Sequence, residues 1–307
     1  MFDLQGHRGA RGLFPENTLA GFRGALALGV SALELDIAVT RDGIPVVVHD
    51  PALDPDLTRD ATGAWLEGEG PLVADLTLAE LRRFDVGRAR PGGATARAFP
   101  AQIACDGARV PTLAEVFAAT AASGARIEAE LKTDPRAPAR TPPPARMAAL
   151  VVSTARACGA LGRLTVRSFD WRGLAWLRAH HPEVALCWLT DAETEAATAL
   201  WWDRAGPAAC GGSAPRAVAA AAAAEGGRVD WAPVWAPDHA TLRAEQVVQA
   251  RGLGLRVVPW TVNGQADMAR LIGWGVAGLC TDRPDLGLRA MAAAGLALAG
   301  AQSRPSA

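Results

Sequence analysis

The chain has 307 residues, half of them apolar, with 31 Lys plus Arg against 32 Asp plus Glu. A sizeable core is available, but charge this close to balance offers no basic field for nucleic acid or an anionic membrane. No apolar run reaches the ~18 residues that span a bilayer, so stable membrane insertion is not expected.

Cys105, Cys158, Cys187, Cys210 and Cys280 are scattered and contain no CxxC pair. They make a poor disulfide framework and a poor zinc site, and read as reduced and mostly buried. The N-terminus, Met1 to His7, has no basic segment followed by an apolar run, so a cytoplasmic location is expected, or a periplasmic one if a leader has been removed. Lys132 is the only lysine in a chain that otherwise uses arginine, and tyrosine is absent. Oligomeric state is not legible.

In chain order, Asp3 to His7 reads as a short strand that ends in the turn Gly6-His7-Arg8-Gly9. Pro15-Glu16-Asn17-Thr18 opens a helix with Asn17 as its expected N-cap. Gly29 stops that helix. Ala32 to Val39 is an apolar strand that carries Glu34 and Asp36 two residues apart, so both side chains face the same way. Thr40 to Gly43 is a tight turn, and Ile44 to His49 a second strand.

Residues 51–111 break the pattern. They are rich in Pro, Gly and Asp, carry one helix signal from Thr77 to Phe84, and read as a surface insertion. Strand-like runs then recur at Arg126–Lys132, Arg163–Ser168, Val184–Leu189, Val229–Val234, Leu255–Trp260 and Ala277–Thr281, with helical stretches or helix starts between them. Residues 291–307 read as a fraying helix and a polar tail.

Strands alternating with helices over ~250 residues predict an α/β fold, a TIM (β/α)8 barrel with a small insertion lobe. The expected organisation is one barrel domain over residues 1–290, with the insertion at 51–111 and the tail at 291–307. Nine strand candidates compete for eight staves. Either the Thr40–Gly43 hairpin supplies the excess, or Val229–Val234 is not a stave. An open doubly wound sheet is the alternative, but Gly6-His7-Arg8-Gly9 is not its glycine-rich phosphate turn.

In a barrel, active residues sit at the C-terminal ends of strands. Here those ends carry His7-Arg8, Glu34 and Asp36, His49-Asp50, Glu130 and Lys132, Ser168-Phe169, Trp260-Thr261 and Thr281-Asp282. Glu34, Asp36 and Glu130 form a candidate site for a hard divalent cation, Mg²⁺ or Ca²⁺, because inward-facing ionised groups are costly unless paired or ligated. Glu128 shares a face with Glu130 but lies further from the strand end. His7 and His49 suit acid/base work near neutral pH, or cap structure. Arg8 and Lys132 suit phosphate oxygens, though Arg8 serves equally as a structural ion pair. Trp260 is an apolar wall for substrate or a core residue. His180 and His181 sit at a helix end, where cations are mildly stabilised; they and His239 receive no chemical role.

Taken together and in order, His7-Arg8-Gly9, Pro15-Glu16-Asn17-Thr18, Glu34-Leu35-Asp36, His49-Asp50, Glu130-Leu131-Lys132, Ser168-Phe169-Asp170-Trp171, Pro259-Trp260-Thr261-Val262-Asn263 and Thr281-Asp282-Arg283-Pro284 resemble the glycerophosphodiester phosphodiesterase family. The resemblance spans roughly residues 3–287. It implies a TIM barrel with an insert, and hydrolysis of deacylated phospholipids such as glycerophosphocholine to glycerol 3-phosphate and an alcohol. It implies one divalent metal on Glu34, Asp36 and Glu130, acid/base work by His7 and His49, and phosphate contacts from Arg8 and Lys132. Arg167, where the pattern has an uncharged residue such as Gln, and the segment 201–215 depart from it. Two rivals are a related barrel phospholipase (phosphoinositide-cleaving or sphingomyelinase-D-like) and a barrel that binds glycerophosphodiesters without turnover.

Overall fold

The computed structural model describes residues 2–202, 206–223 and 231–298. Its strands are β1 (Asp3–Gly6), β2 (Ala32–Val39), β3 (Pro45–Val47), β4 (Arg126–Leu131), β5 (Leu164–Ser168), β6 (Ala185–Thr190), β7 (Val234–Pro237), β8 (Arg256–Val257) and β9 (Gly278–Thr281). Their order around the sheet is β8-β7-β6-β5-β4-β2-β1-β9. Every neighbouring pair along that path is parallel. The ring closes where Ala277 N–H donates to Val257 O at 2.8 Å and Cys280 N–H to Pro259 O at 3.0 Å. This is the TIM barrel expected from the alternation of elements.

The ninth strand, β3, pairs antiparallel with β2, Ile37 opposite Val47, and stands outside the ring. The hairpin therefore accounts for the excess stave. The stave expected at Val229–Val234 is displaced: β7 begins at Val234, and residues 229–230 lie outside the described part. Pro233 has no N–H to give a ladder, although its carbonyl already accepts from Arg256 N–H at 3.0 Å. Of the expected tail, residues 299–307 also lie outside the described part.

Period-two alternation sends one set of side chains outward and the other into the barrel. Leu33, Leu35 and Ile37 of β2, Ile127, Ala129 and Leu131 of β4, and Val166 of β5 belong to the large outer core, with Val151, Leu174 and Leu271 from the surrounding helices. Burying each of the Leu, Ile and Val side chains among them is worth about 1.5–3 kcal/mol. The other set is polar: Asp3, Gln5 and His7; Glu34 and Asp36; Glu128 and Glu130; Thr165 and Arg167; and Asp282, all buried.

Helix α1 (Leu19–Leu28) is capped by Thr18, whose hydroxyl accepts from Gly21 N–H at 3.0 Å, and it stops at Gly29 with φ 96°. The expected cap, Asn17, is instead held at φ 55°, one residue before the cap, and its amide is used elsewhere. Residues 51–111 form a lobe in which Leu53, Val73, Leu81 and Val110 pack on Ala38 and Val46 of the β2–β3 hairpin. Its helix at Leu78–Leu81 carries a capping box between Thr77 and Glu80. A second short helix at Ala94–Ala98 has no counterpart in the sequence reading.

Candidate active site

β1 ends in a turn that only glycines allow. A Cβ on Gly6 would run into the Gly9 carbonyl, and Gly9 has φ 89°. The turn brings His7 and Arg8 over the barrel mouth. Arg8, at φ 49°, donates its backbone N–H to Glu34 Oε2 at 2.9 Å. A non-glycine residue in this region is costly unless its surroundings hold it there.

β2 and β4 run side by side with Asp36 opposite Glu130 and Glu34 opposite Glu128. Glu34, Asp36 and Glu130 each present a ligand oxygen, all within 4.8 Å of one another and all buried. Glu128 is not in this group. It is 3% exposed and faces Arg126, whose Nε lies 3.5 Å away. Burial pushes Glu34 up to about 8, with Asp36 and Glu130 adding repulsion against Arg167 and the Arg8 amide. For Asp36 burial acts in the same direction, but Arg8, Lys132 and the Asn17 amide reverse it and hold the carboxyl well below the usual range. Asn17 Nδ2 donates to Asp36 Oδ2 at 2.8 Å, and Arg8 Nε lies 3.3 Å from the same oxygen.

Lys132 follows β4 and donates to Glu130 Oε1 at 2.7 Å and to His49 Nε2 at 3.1 Å, with Asp36 Oδ1 3.7 Å away. Burial alone would lower its pKa, but Glu130 and Asp36 raise it. The ammonium is therefore a permanent donor, which assigns the lone pair of His49 to Nε2 and its proton to Nδ1. That nitrogen meets Asp50 Oδ1 at 2.8 Å.

His7 has a comparable support. Its Nδ1 meets Asp282 Oδ1 at 2.6 Å, and its Nε2 lies 3.9 Å from Glu34 Oε2. Burial lowers the His7 pKa, opposed by the Asp282 hydrogen bond. Burial would raise Asp282, yet His7 and Arg11 hold it far below the carboxylate range. Arg11 donates to both Asp282 oxygens at 3.0 and 3.1 Å, and Asn263 Nδ2 donates to Oδ2 at 2.7 Å.

The structure thus gathers His7, Arg8, Glu34, Asp36, His49, Glu130 and Lys132 into one connected cluster. Arg8 is also ion-paired with Glu16 at 2.8 Å, which fits its structural reading. Trp260 stands apart on an apolar ledge with Leu189, Ala236 and Phe169. Its indole N–H donates to Ala236 O at 2.9 Å, and its ring meets Phe169 edge-on at 5.3 Å. Ser168 is buried and braces the backbone, its hydroxyl donating to Leu131 O at 3.2 Å. His180 binds Trp176 O, and His181 ends its helix 3.4 Å from Glu183.

Sequence reasoning gave no role to Asp282, Arg11, Asn263 and Asp50, and read Asn17 as a cap. Asp50 and Asp282 carried a usable signal, since both are acids directly after a strand end. Asn17 and Asn263 carried none, because their function depends on a positive φ and on contacts remote in sequence.

Eight parallel staves carry an acidic trio and two imidazoles, each resting Nδ1 on a carboxylate, at one end of the barrel. A profile of the glycerophosphoryl diester phosphodiesterase family matches residues 7–286. The chain belongs to that family, and so to the enzymes that hydrolyse glycerophosphodiesters. It is 28% identical over 286 residues to a glycerophosphodiester phosphodiesterase of Bacillus subtilis (strain 168), covering 91% of this chain and 83% of that protein. A crystal structure from Silicibacter pomeroyi DSS-3, provisionally described as a glycerophosphoryl diester phosphodiesterase, is 36% identical and superposes with TM-score 0.85 over 97% of this chain and 95% of that one. A phosphodiesterase of Oleispira antarctica, solved with its product sn-glycerol-3-phosphate, shares the fold at TM-score 0.65 and 22% identity, over 94% and 96% of the two chains.

Among the described residues, no helix is long and apolar enough to cross a membrane. The five cysteines are free, but only Cys187 and Cys280 are buried, against the expectation that most would be.

Proposed function

We propose that this chain splits glycerophosphodiesters into glycerol 3-phosphate and an alcohol, using one divalent cation on Glu34, Asp36 and Glu130 and proton transfer by His49 and His7. The observation that carries the reading is the convergence of three buried carboxylates within 4.8 Å, beside two imidazoles that each rest Nδ1 on a carboxylate. Like charges crowded this closely fit a hard oxygen-seeking ion, Mg²⁺ or Ca²⁺. Bound there, such an ion would supply neutralisation of the charge that develops on the phosphoryl oxygens.

The remaining chemistry belongs to the chain. His49 is assigned as the base. Its Nε2 accepts from the Lys132 ammonium, which places its lone pair on the cluster side, ready to take the nucleophile's proton. His7 is assigned as the acid that protonates the leaving alkoxide. Burial keeps it neutral in the free protein, but a diester anion arriving next to it favours the protonated ring, and ionised Asp282 stabilises that form. Lys132 has one N–H beyond those given to Glu130 and His49, and Arg8 has donors beyond the one on Glu16. Both are assigned to phosphate oxygens. Trp260 and Phe169 offer an apolar wall to the organic part of the substrate.

The test is release of glycerol 3-phosphate from glycerophosphocholine, followed with a coupled dehydrogenase. Activity should vanish with EDTA and return with Mg²⁺ or Ca²⁺, and the better of the two ions identifies the resident one. Turnover that survives exhaustive chelation would remove the metal from the reading. Phosphorus NMR during turnover distinguishes attack by the substrate's own hydroxyl, which leaves a cyclic phosphate, from attack by water.

A further inference from the structure

One buried charge inside the barrel takes no part in that chemistry. β5 alternates so that Thr165 and Arg167 face the interior while Val166 joins the outer core. Arg167 is 2% exposed and lies opposite Glu130 of β4 in the register. Its Nη1 donates to Gln5 Oε1 of β1 at 3.2 Å. In the ring, β4 and β2 stand between β5 and β1, so the side chain crosses the interior in front of the two strands that carry the carboxylate trio. Its Nε has no hydrogen-bond partner among the described residues. The groups it faces are the thiols of Cys187 and Cys280, then Glu34 and Glu128. Burial pushes the Cys187 thiol up to about 12 and raises Cys280 as well, so both are neutral near pH 7. A guanidinium does not lose its proton in a protein. Arg167 is therefore a fixed positive charge in a buried position, where charges are weakly screened.

We propose that Arg167, reaching in front of the Glu34 strand to Gln5, is a positioning residue whose charge loosens the trio's hold on its divalent cation while drawing the phosphodiester anion toward the same rim. This rests on the metal reading given above. A divalent ion adds two positive charges to the site; even when one carboxylic proton leaves, the site gains one. Arg167 opposes that gain in either case. The substrate is an anion and feels the opposite force. Removing the charge must therefore move the two affinities in opposite directions, whereas a loss of packing weakens both.

The experiment is calorimetric titration of the EDTA-treated full chain with Mg²⁺ or Ca²⁺, paired with KM for glycerophosphocholine at saturating metal. Arg167→Gln retains a donor for Gln5 but not the charge. Its metal Kd should fall about tenfold or more and its KM rise about threefold or more. Arg167→Lys keeps the charge and should leave both values within about threefold of the wild type. An Arg167→Gln metal Kd that is unchanged or higher overturns the inference, as does an Arg167→Lys protein that moves like Arg167→Gln. Should the Gln variant not fold, Arg167→Lys decides alone, because a metal Kd shifted tenfold in a protein that kept its charge contradicts the mechanism. Wild-type protein that takes up no metal overturns the metal reading itself, and this inference with it. Metal binding that is normal in the wild type and unmoved in Arg167→Gln overturns only the role of Arg167.

Discussion

The barrel holds two buried clusters of charge, one at its floor and one at its mouth, and they obey opposite rules. At the floor, Asp3 is 1% exposed yet fully served. Ser31 donates to its Oδ1 at 2.6 Å, Gln5 to its Oδ2 at 3.1 Å, and Arg126 Nη2 lies 2.6 Å from that second oxygen. Burial would raise its pKa, but Arg126, Ser31 and Arg256 bring it below the usual value. At the mouth, three carboxylates point at one another, and the lysine and arginine beside them leave Glu34 at about 8. Depth and charge are common to both. The difference is that Asp3 at the floor meets a hydroxyl, an amide and a guanidinium, while at the mouth Glu34, Asp36 and Glu130 bring their oxygens within 4.8 Å of one another. Convergence of like charge, more than burial of charge, marks the working end of this barrel.

The comparison can be broken most sharply at the histidines. His7→Ala and His49→Ala should each lower kcat by ~10²–10⁴-fold, with circular dichroism and thermal unfolding close to wild type. Near-normal turnover in either variant would return that imidazole to a structural role. Next in size is Asn17, whose amide holds Asp36 from the side at 2.8 Å. Asn17→Ala should weaken metal binding by ~10–100-fold, the usual cost of removing a partner that orients a ligand. Metal titration is the right readout, because a positive φ at an alanine also costs ~1–2 kcal/mol of stability. An unchanged metal Kd would mean Asp36 needs no such support.

Smaller is the pH dependence of metal binding. Glu34 has its pKa raised to about 8 in the folded protein. In the metal-free protein this contribution favours folding at low pH and fades as pH rises toward that value. A cation must displace the same proton, so its affinity should climb by up to about tenfold per unit between pH 6 and 8, then level off. A flat profile over that range would show that Glu34 is already ionised or is not a ligand.

Most of the mouth was legible because its residues sit where strand period and strand end coincide. Glu34 and Asp36 share a face by alternation alone, and Glu130 was preferred over Glu128 from its distance to the strand end, in keeping with where the trio forms. The β3 hairpin was legible as an excess stave. What stayed hidden depended on conformation that composition does not encode. Asn17 looks like a cap, and only its φ of 55° turns it toward Asp36 while Thr18 takes over the capping. Asp282 lies 275 positions from His7, a contact no local pattern reports. The start of β7 was misplaced because an apolar run reads as a strand even where Pro233 has no N–H to donate.

The smallest expected effect on turnover lies at the floor, and it tests the comparison from the other side. Asp3→Asn removes a charge as deeply buried as any at the mouth, but one that no reacting group touches. If the floor is purely structural, kcat and metal Kd should stay near the wild-type values while stability falls by ~1.5–3 kcal/mol at pH 7, the worth of hydrogen bonds made to a charged group. The sign with pH follows from the direction of the shift. The folded-state pKa of Asp3 lies below the ordinary carboxylate value, so its ion pair contributes fully above that ordinary value and is lost as pH falls through the folded one. Urea unfolding of the two proteins should therefore show a constant gap from pH 7 down to about 4, closing at lower pH. A gap that persists in acid would assign the loss to packing and hydrogen bonding instead of charge. A large drop in turnover would show that the floor charges reach the mouth through the interior and that the two clusters work as one field.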